Sequence, residues 1–216
     1  MYICVLLVTL SVLAIILENK VYNNGNANLI RVACIGDSIT ELPYYPNDLQ
    51  TLLGTNYTVG NFGSGGATVL LDTDKPYMDQ VEFVRAKNFP PDIVIIMLGT
   101  NDARTDNFKS IENFVSDYMK LINEIQALES NPKIFLAKPP PLFDNELDLK
   151  SENLLDEIIP RIEQIANEEG LPVIDVYSAL ENHPEYFWDG VHPSSDGAAV
   201  IANTVYAAII LSTESS

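Results

Sequence analysis

The chain has 216 residues and carries 30 acidic against 12 basic side chains, which gives a formal net charge of −18. This charge argues against nucleic acid or anionic lipid as a partner, because both are bound through clustered Lys and Arg. The length suits one globular domain, with or without a leader, and 47% hydrophobic residues are sufficient for a core. An acidic surface by itself selects no substrate.

The amino-terminal stretch predicts entry into the secretory pathway. Residues 3–17 are apolar except for Thr9 and Ser11, a run too short for a membrane span of about 20 residues and typical of a signal-peptide core. No Lys or Arg precedes the run, and no small-x-small cleavage site follows it. Both a cleaved signal peptide and an uncleaved anchor are compatible with residues 1–28, and both predict a secreted or lumenal domain over 29–216.

The two cysteines offer no disulfide framework. Cys4 lies in the leader and Cys34 lies inside the first predicted strand. We expect Cys34 to pack as a small core residue.

Beyond residue 30, apolar strands alternate with amphipathic helices. The predicted strands cover residues 30–35, 57–62, 92–98, 133–137 and 172–176. The predicted helices cover residues 46–53, 79–88, 111–128, 154–169 and 195–211. This alternation predicts an α/β fold in which a parallel sheet is covered by helices on both faces.

Polar or glycine-rich loops follow three of these strands, and a fourth polar cluster precedes the last helix. They contain Ser38, the glycines of residues 63–66, Asn101, and the stretch 188–193. Because ligands of open α/β sheets bind at the carboxyl edge, the four loops should converge there. Asp37 and Ser38 alone would also suit helix capping, but their coincidence with the other three loops favours Ser38 as a nucleophile.

A nucleophilic serine needs a base, an orienting carboxylate and donors for the oxyanion. The chain has two histidines. His192 has Asp189 three residues before it, whereas His183 has Leu180 there, which cannot orient an imidazole. The predicted catalytic set is therefore Ser38, His192 and Asp189.

The backbone N–H groups of Ser38 and Gly66 and the side-chain amide of Asn101 are the predicted oxyanion donors. We expect no metal, because no cluster of metal-ligand type is visible. The glycines of residues 63–66 lack the G-x-G-x-x-G spacing of a dinucleotide site, so no cofactor is expected.

Four segments, in order and spacing, resemble the signature blocks of the GDSL, or SGNH, hydrolases. They are residues 36–40, 61–68, 99–102 and 189–192. The resemblance covers about residues 30–212 and implies a three-layer α/β/α sandwich with a flavodoxin-like five-stranded parallel sheet. It also implies ester hydrolysis through Ser38, Asp189 and His192, without metal or cofactor. The combination of residues 61–63, residues 99–102 and prolines 139–141 makes the chain similar to the short sialate and xylan O-acetylesterase-like members.

Three functions remain open. The first is an esterase that removes acetyl groups from carbohydrate. The loops offer no long apolar lid, and prolines 139–141 stiffen the loop after the fourth strand, which is therefore expected to form a rigid wall. The second is a lipase, lysophospholipase or thioesterase for longer acyl chains, and the third is a catalytically silent carbohydrate-binding relative.

Four further side chains near these loops receive structural interpretations. Asp37 is expected to brace its turn, and Asp102 to cap the helix start after its strand. Tyr77 and Trp188 are expected to be packing or rim residues rather than sugar platforms.

Overall fold

A computed structural model of the protein describes residues 29–42 and 44–214. The predicted leader, residues 1–28, lies outside the described residues, so the signal-peptide and anchor interpretations stay predictions.

Five parallel strands form one sheet in the order β2-β1-β3-β4-β5. Their bounds are β1 Ile30–Gly36, β2 Tyr57–Gly63, β3 Ile93–Met97, β4 Lys133–Ala137 and β5 Val173–Ile174. The predicted α/β fold with a five-stranded parallel sheet is confirmed.

Helices cover both faces of the sheet. Their bounds are α1 Ser38–Glu41, α2 Tyr44–Leu53, α3 Val81–Lys87, α4 Phe114–Gln126, α5 Ile159–Glu169, α6 Val176–Leu180 and α7 Ser195–Glu214. Buried side chains of α3, α4 and α5 share one core, and those of α2, α6 and α7 share the other. The fold is therefore an α/β/α sandwich.

The alternation of side chains along β1 produces these two cores. Ala33 and Ile35 belong to the core with α3, α4 and α5, while Val32 and Cys34 belong to the opposite one. Successive side chains of a strand point to opposite faces, so a strand buried on both sides is continuously apolar. The predicted burial of Cys34 as a core residue is confirmed.

Several predicted boundaries were wrong, and local capping explains the largest errors. The fifth strand ends at Ile174 because the Asp175 carboxylate accepts the Ser178 N–H and begins α6, a helix that the periodicity did not indicate. The helix predicted over 154–169 has a π-turn at Leu154–Ile158 before α5. The helices predicted at 79 and 111 begin later, at Val81 and Phe114, each after a 3₁₀ turn.

Among the described residues, the segment Ser195–Thr213 of α7 is long and apolar enough to cross a membrane by length and composition. Its buried face, which includes Ile201, Val205 and Ile209, packs in the core shared with α2. Core helices meet the same criterion of length and hydropathy.

Candidate active site

Ser38 and Asn101 follow β1 and β3, the two neighbouring strands between which the strand order of the sheet changes direction. β1 is hydrogen-bonded to β2 on one side and to β3 on the other, so successive connections leave β1 and β3 in opposite directions. The crevice between two such strands is where open α/β sheets bind ligands. Ser38 follows β1 and Asn101 follows β3, which places both at this crevice.

Ser38 is held at the first position of α1 by the residue before it. Asp37 is the N-cap, and its Oδ1 accepts the Ile39 N–H at 3.0 Å. Burial raises the pKa of Asp37 to about 6, against the opposing effect of the Ile39 N–H. Asp37 therefore braces the turn as predicted, and Ser38 is left half-buried at the crevice.

His192 lies between Ser38 and Asp189. Ser38 Oγ is 2.8 Å from His192 Nε2, and His192 Nδ1 is 2.7 Å from Asp189 Oδ2. A carboxylate next to Nδ1 fixes the proton on that nitrogen, so Nε2 is free to accept the serine proton. The three residues predicted as the catalytic set are thus in hydrogen-bonded series.

Asp189 also shapes the loop that carries His192. Its Oδ1 accepts the backbone N–H groups of Val191 and His192 at 3.0 and 2.7 Å. Partial burial raises the pKa of Asp189, but the donors of His192 and Val191 outweigh it and leave the pKa below the ordinary value. Asp189 is therefore ionised at neutral pH and orients the imidazole.

The predicted oxyanion donors face the same pocket. Ser38, Gly66, Asn101 and His192 all line it. In the described part of the chain, the backbone N–H groups of Ser38 and Gly66 donate to no protein acceptor. Gly66 has φ +76, a left-handed conformation that lets the loop turn and that other residues rarely adopt.

The Asn101 amide is oriented by the loop that contains Gly66. Its Nδ2 donates to the Ala67 carbonyl at 3.1 Å. A side-chain amide carries two N–H groups, so one remains for an oxyanion in the pocket. The main-chain carbonyl of Asn101 is in turn held by Asn107 Nδ2 at 2.8 Å.

The pocket at Ser38 has a volume of about 280 Å³. Its remaining walls are Gly65, Arg104, Leu147, Leu149 and Val191. Leu147 and Leu149 belong to the loop after β4, so this loop forms a wall of the pocket as predicted, while prolines 139–141 are themselves buried and do not line it. Leu147 and Leu149 were missed by the sequence analysis; their signal is two apolar residues, two positions apart, in the otherwise polar stretch 144–150.

Asp102 does not cap its own helix start, and that prediction was wrong. Its two carboxylate oxygens accept the N–H groups of Val69 and Leu70 at 3.0 and 2.9 Å. Burial raises the pKa of Asp102 to about 7 despite these two donors. Asp102 thus joins the loop after β3 to the loop after β2.

Tyr77 and Trp188, the two aromatic residues predicted to pack or to lie at the rim, differ in burial. Tyr77 is buried, and its hydroxyl donates to the Phe62 carbonyl at 2.6 Å, which confirms a packing role. Trp188 is 64% exposed and stacks on the His192 ring, with centroids 5.2 Å apart and planes inclined by 17°.

Within residues 29–42 and 44–214, no group of three or more His, Cys, Asp or Glu side chains is arranged to hold a metal ion. The second histidine lies apart from the pocket. His183 Nδ1 contacts Glu185 Oε1 at 2.9 Å, and its ring stacks on Tyr186.

A serine, imidazole and carboxylate in series at the switch point of an α/β/α sandwich define a hydrolase of the serine type. Residues 34–200 match the model of the GDSL-like lipase/acylhydrolase family, and the chain belongs to that family. The resemblance inferred from the four sequence blocks is confirmed.

Curated relatives of the chain carry esterase names. An acetylxylan esterase of Xylanibacter ruminicola is 35% identical over 206 residues, which cover 83% of this chain and 43% of the relative. A multidomain esterase of Ruminococcus flavefaciens is 25% identical over 51% of this chain and 14% of its own length. The chain therefore spans less than half of either protein.

Two solved structures share the fold. A carbohydrate acetylesterase family member from Sinorhizobium meliloti superposes with a TM-score of 0.70 at 22% identity, covering 84% of this chain and 98% of that one. The aryl esterase of M. smegmatis gives a TM-score of 0.67 at 19% identity over 83% and 98%.

Proposed function

We propose that the protein is a serine esterase that removes short acyl groups, acetyl above all, from carbohydrate. The observation that carries the proposal is the series of two short contacts, 2.8 Å from Ser38 Oγ to His192 Nε2 and 2.7 Å from His192 Nδ1 to Asp189 Oδ2. Each atom of this series has the role that ester hydrolysis by a covalent route requires.

In the first half of the reaction, Ser38 Oγ attacks the ester carbonyl carbon while its proton passes to His192 Nε2. The carbonyl oxygen becomes an oxyanion, which the N–H groups of Ser38 and Gly66 and the Asn101 amide stabilise. When the intermediate collapses, the bond to the alcohol oxygen breaks, and His192 gives its proton to that oxygen. The acyl group stays on Ser38.

In the second half, His192 takes a proton from water, and the resulting hydroxide attacks the acyl-enzyme. The bond to Ser38 Oγ then breaks, the proton returns to Ser38, and the free acid leaves. Asp189 stabilises the imidazolium in both halves without itself being protonated.

The preference for a short acyl group is supported by the two similar proteins whose names specify acetyl esters. The pocket at Ser38, of about 280 Å³, lies just below the range of about 300 to 1,000 Å³ that is typical for drug-sized ligands. The carbohydrate part is supported by the names of similar proteins, an acetylxylan esterase and a carbohydrate acetylesterase family member.

The test measures kcat/KM for p-nitrophenyl esters of increasing acyl length. A small pocket predicts a maximum at acetyl or propionyl, because each further methylene meets a wall. An open groove would instead gain about 0.8 kcal/mol per buried CH₂, and a maximum at octanoyl or beyond would establish the lipase interpretation in place of ours.

Three variants are measured on the same series of p-nitrophenyl esters. Ser38→Ala should abolish nearly all activity while folding normally, and His192→Ala should cost several orders of magnitude. His183→Ala is the matched histidine control and should be close to wild type. Full activity in Ser38→Ala would refute Ser38 as the nucleophile. Inactivity of the wild type towards every ester would refute the esterase proposal itself and favour a silent relative.

A further inference from the structure

An exposed aromatic face stands beside the predicted base. Trp188 covers one face of the His192 ring, yet 64% of Trp188 is exposed, so the opposite face of the indole is open. A large apolar surface in water gains free energy when a ligand covers it. The position one residue before Asp189 places such a ligand next to the reacting atoms.

A second pocket is lined by Trp188. It has a volume of about 530 Å³ and is lined by residues 144–147 and 188–190. Leu147 lines both this pocket and the one at Ser38. An ester whose acyl group lies at Ser38 can therefore place its alcohol portion against Trp188.

The two sides of this pocket are fixed to each other. The Phe143 N–H donates to the Gly190 carbonyl at 2.8 Å. Gly190 has φ +80, and a Cβ there would lie 2.1 Å from the Asp144 carbonyl oxygen, so only glycine allows this close approach. A pocket with rigid sides loses little entropy when it binds a ligand.

The wall opposite Trp188 is held by the side chain of Asn145. Its Nδ2 donates to the carbonyls of Phe143 and Leu149, and its Oδ1 accepts the N–H groups of Leu147 and Leu149. Asn145 is therefore occupied by its own loop. It shapes the wall and leaves ligand contacts to its neighbours.

The residues on either side of Asn145, Asp144 and Glu146, carry carboxylates. The side chains of Asp144 and Glu146 are exposed and make no hydrogen bond or ion pair within the described ranges 29–42 and 44–214. Carboxylates accept hydrogen bonds from hydroxyl groups and repel other anions. They are unsuited to an acyl chain, because covering a charge with apolar groups is costly.

We propose that this pocket binds a neutral sugar ring of the ester substrate, with the C–H face of the ring on Trp188 and its hydroxyls donating to Asp144 and Glu146. The inference rests on the proposed esterase function and adds the part of the substrate that is recognised. It also selects neutral acetylated saccharides, such as acetylated xylo-oligosaccharides, over anionic ones such as O-acetyl sialate.

The experiment compares kcat/KM for an acetylated xylo-oligosaccharide with kcat/KM for p-nitrophenyl acetate, which has no sugar. Because Trp188 also stacks on His192, Trp188→Ala should lower both values. The saccharide value should fall at least about tenfold further, equal to about 1.4 kcal/mol. Trp188→Phe should recover most of this additional loss, and Val81→Ala, which alters a side chain of matched exposure at 63%, should show none.

A charge comparison completes the test. For the wild type, kcat/KM should be higher for the neutral saccharide ester than for O-acetyl sialate. The ratio of the two kcat/KM values should fall with added salt, because salt screens exposed charges. Asp144→Asn combined with Glu146→Gln should lower the same ratio at low salt.

The outcomes separate the two proposals. Equal losses on both esters in Trp188→Ala would overturn the sugar pocket alone. A wild type that hydrolyses p-nitrophenyl acetate but not the saccharide would overturn the sugar pocket together with the carbohydrate part of the proposed function. A preference for O-acetyl sialate at low salt would overturn the neutral-sugar assignment. A wild type inactive on both esters would overturn the esterase function itself.

Discussion

The contribution of Asn101 to catalysis can be separated from its contribution to folding. One N–H of its amide is bound to the Ala67 carbonyl at 3.1 Å, and the other is free for the oxyanion. Asn101→Ala removes both. The loss of the bond to Ala67 should cost about 1 kcal/mol in the free energy of unfolding.

The catalytic loss should be larger than the structural one. A single oxyanion donor is worth about 10²–10³ in kcat, or roughly 3–4 kcal/mol of transition-state stabilisation. The donor acts mainly when the oxygen carries charge, so kcat should fall by this factor while KM changes little. The backbone donors at Ser38 and Gly66 remain, which is why activity should persist at a low level.

Asn153→Ala is the matched control. The half-buried Asn153 side chain also donates one hydrogen bond to a main-chain carbonyl, that of Ala103 at 3.0 Å, and it does not line the pocket at Ser38. Steady-state kinetics on p-nitrophenyl acetate and urea denaturation should give similar stability losses for the two variants, with a large fall in kcat for Asn101→Ala alone. A pure KM effect in Asn101→Ala, or equal falls in kcat, would refute the oxyanion assignment.

Two further predictions concern the carboxylates. Asp189→Asn should lower kcat by about 10³–10⁴-fold, because an amide no longer fixes the proton on Nδ1; a loss under tenfold in steady-state kinetics would contradict this orienting role. Burial raises the pKa of Asp102 to about 7, so the folded protein favours the protonated carboxyl. The stability that this preference contributes is complete below about pH 4 and is lost as pH rises through 7. The Asn side chain of Asp102→Asn cannot ionise. The deficit of this variant in free energy of unfolding, relative to wild type, should therefore shrink by roughly 3 kcal/mol between pH 5 and pH 8 in urea titrations. A constant or widening deficit would show that the buried carboxyl is ionised throughout.

The sheet and the placement of the site loops could be predicted because local patterns specify them. A buried parallel strand is continuously apolar, as β3 is, and the residue after it lies at the carboxyl edge of the sheet. The pairing of Asp189 with His192 is also local, since three residues in one turn bring the carboxylate to Nδ1.

What could not be predicted depends on contacts between distant segments. The partners of Asp102 lie 33 and 32 residues away in sequence, and no spacing rule connects a buried carboxylate with backbone donors that far apart. The pocket wall at Leu147 and Leu149 is set by Asn145 inside an irregular loop. Helix α6 was missed because its five residues are too few for a periodic signal.

The buried carboxylates near the pocket have a common physical consequence. Three consecutive N–H groups beyond the Gly66 turn are accepted by acidic side chains: those of Val69 and Leu70 by Asp102, and that of Leu71 by Asp117 at 3.0 Å. Backbone N–H groups in a buried loop need acceptors, and the carboxyl oxygens of Asp102 and Asp117 supply them. Asp102 follows Asn101 directly, so the residue next to one predicted oxyanion donor fixes the loop that carries another, Gly66. Oxyanion donors are effective when they need not reorganise as charge develops. The buried carboxyl of Asp102 thereby holds two oxyanion donors, which come from the loops after two different strands, in one fixed geometry.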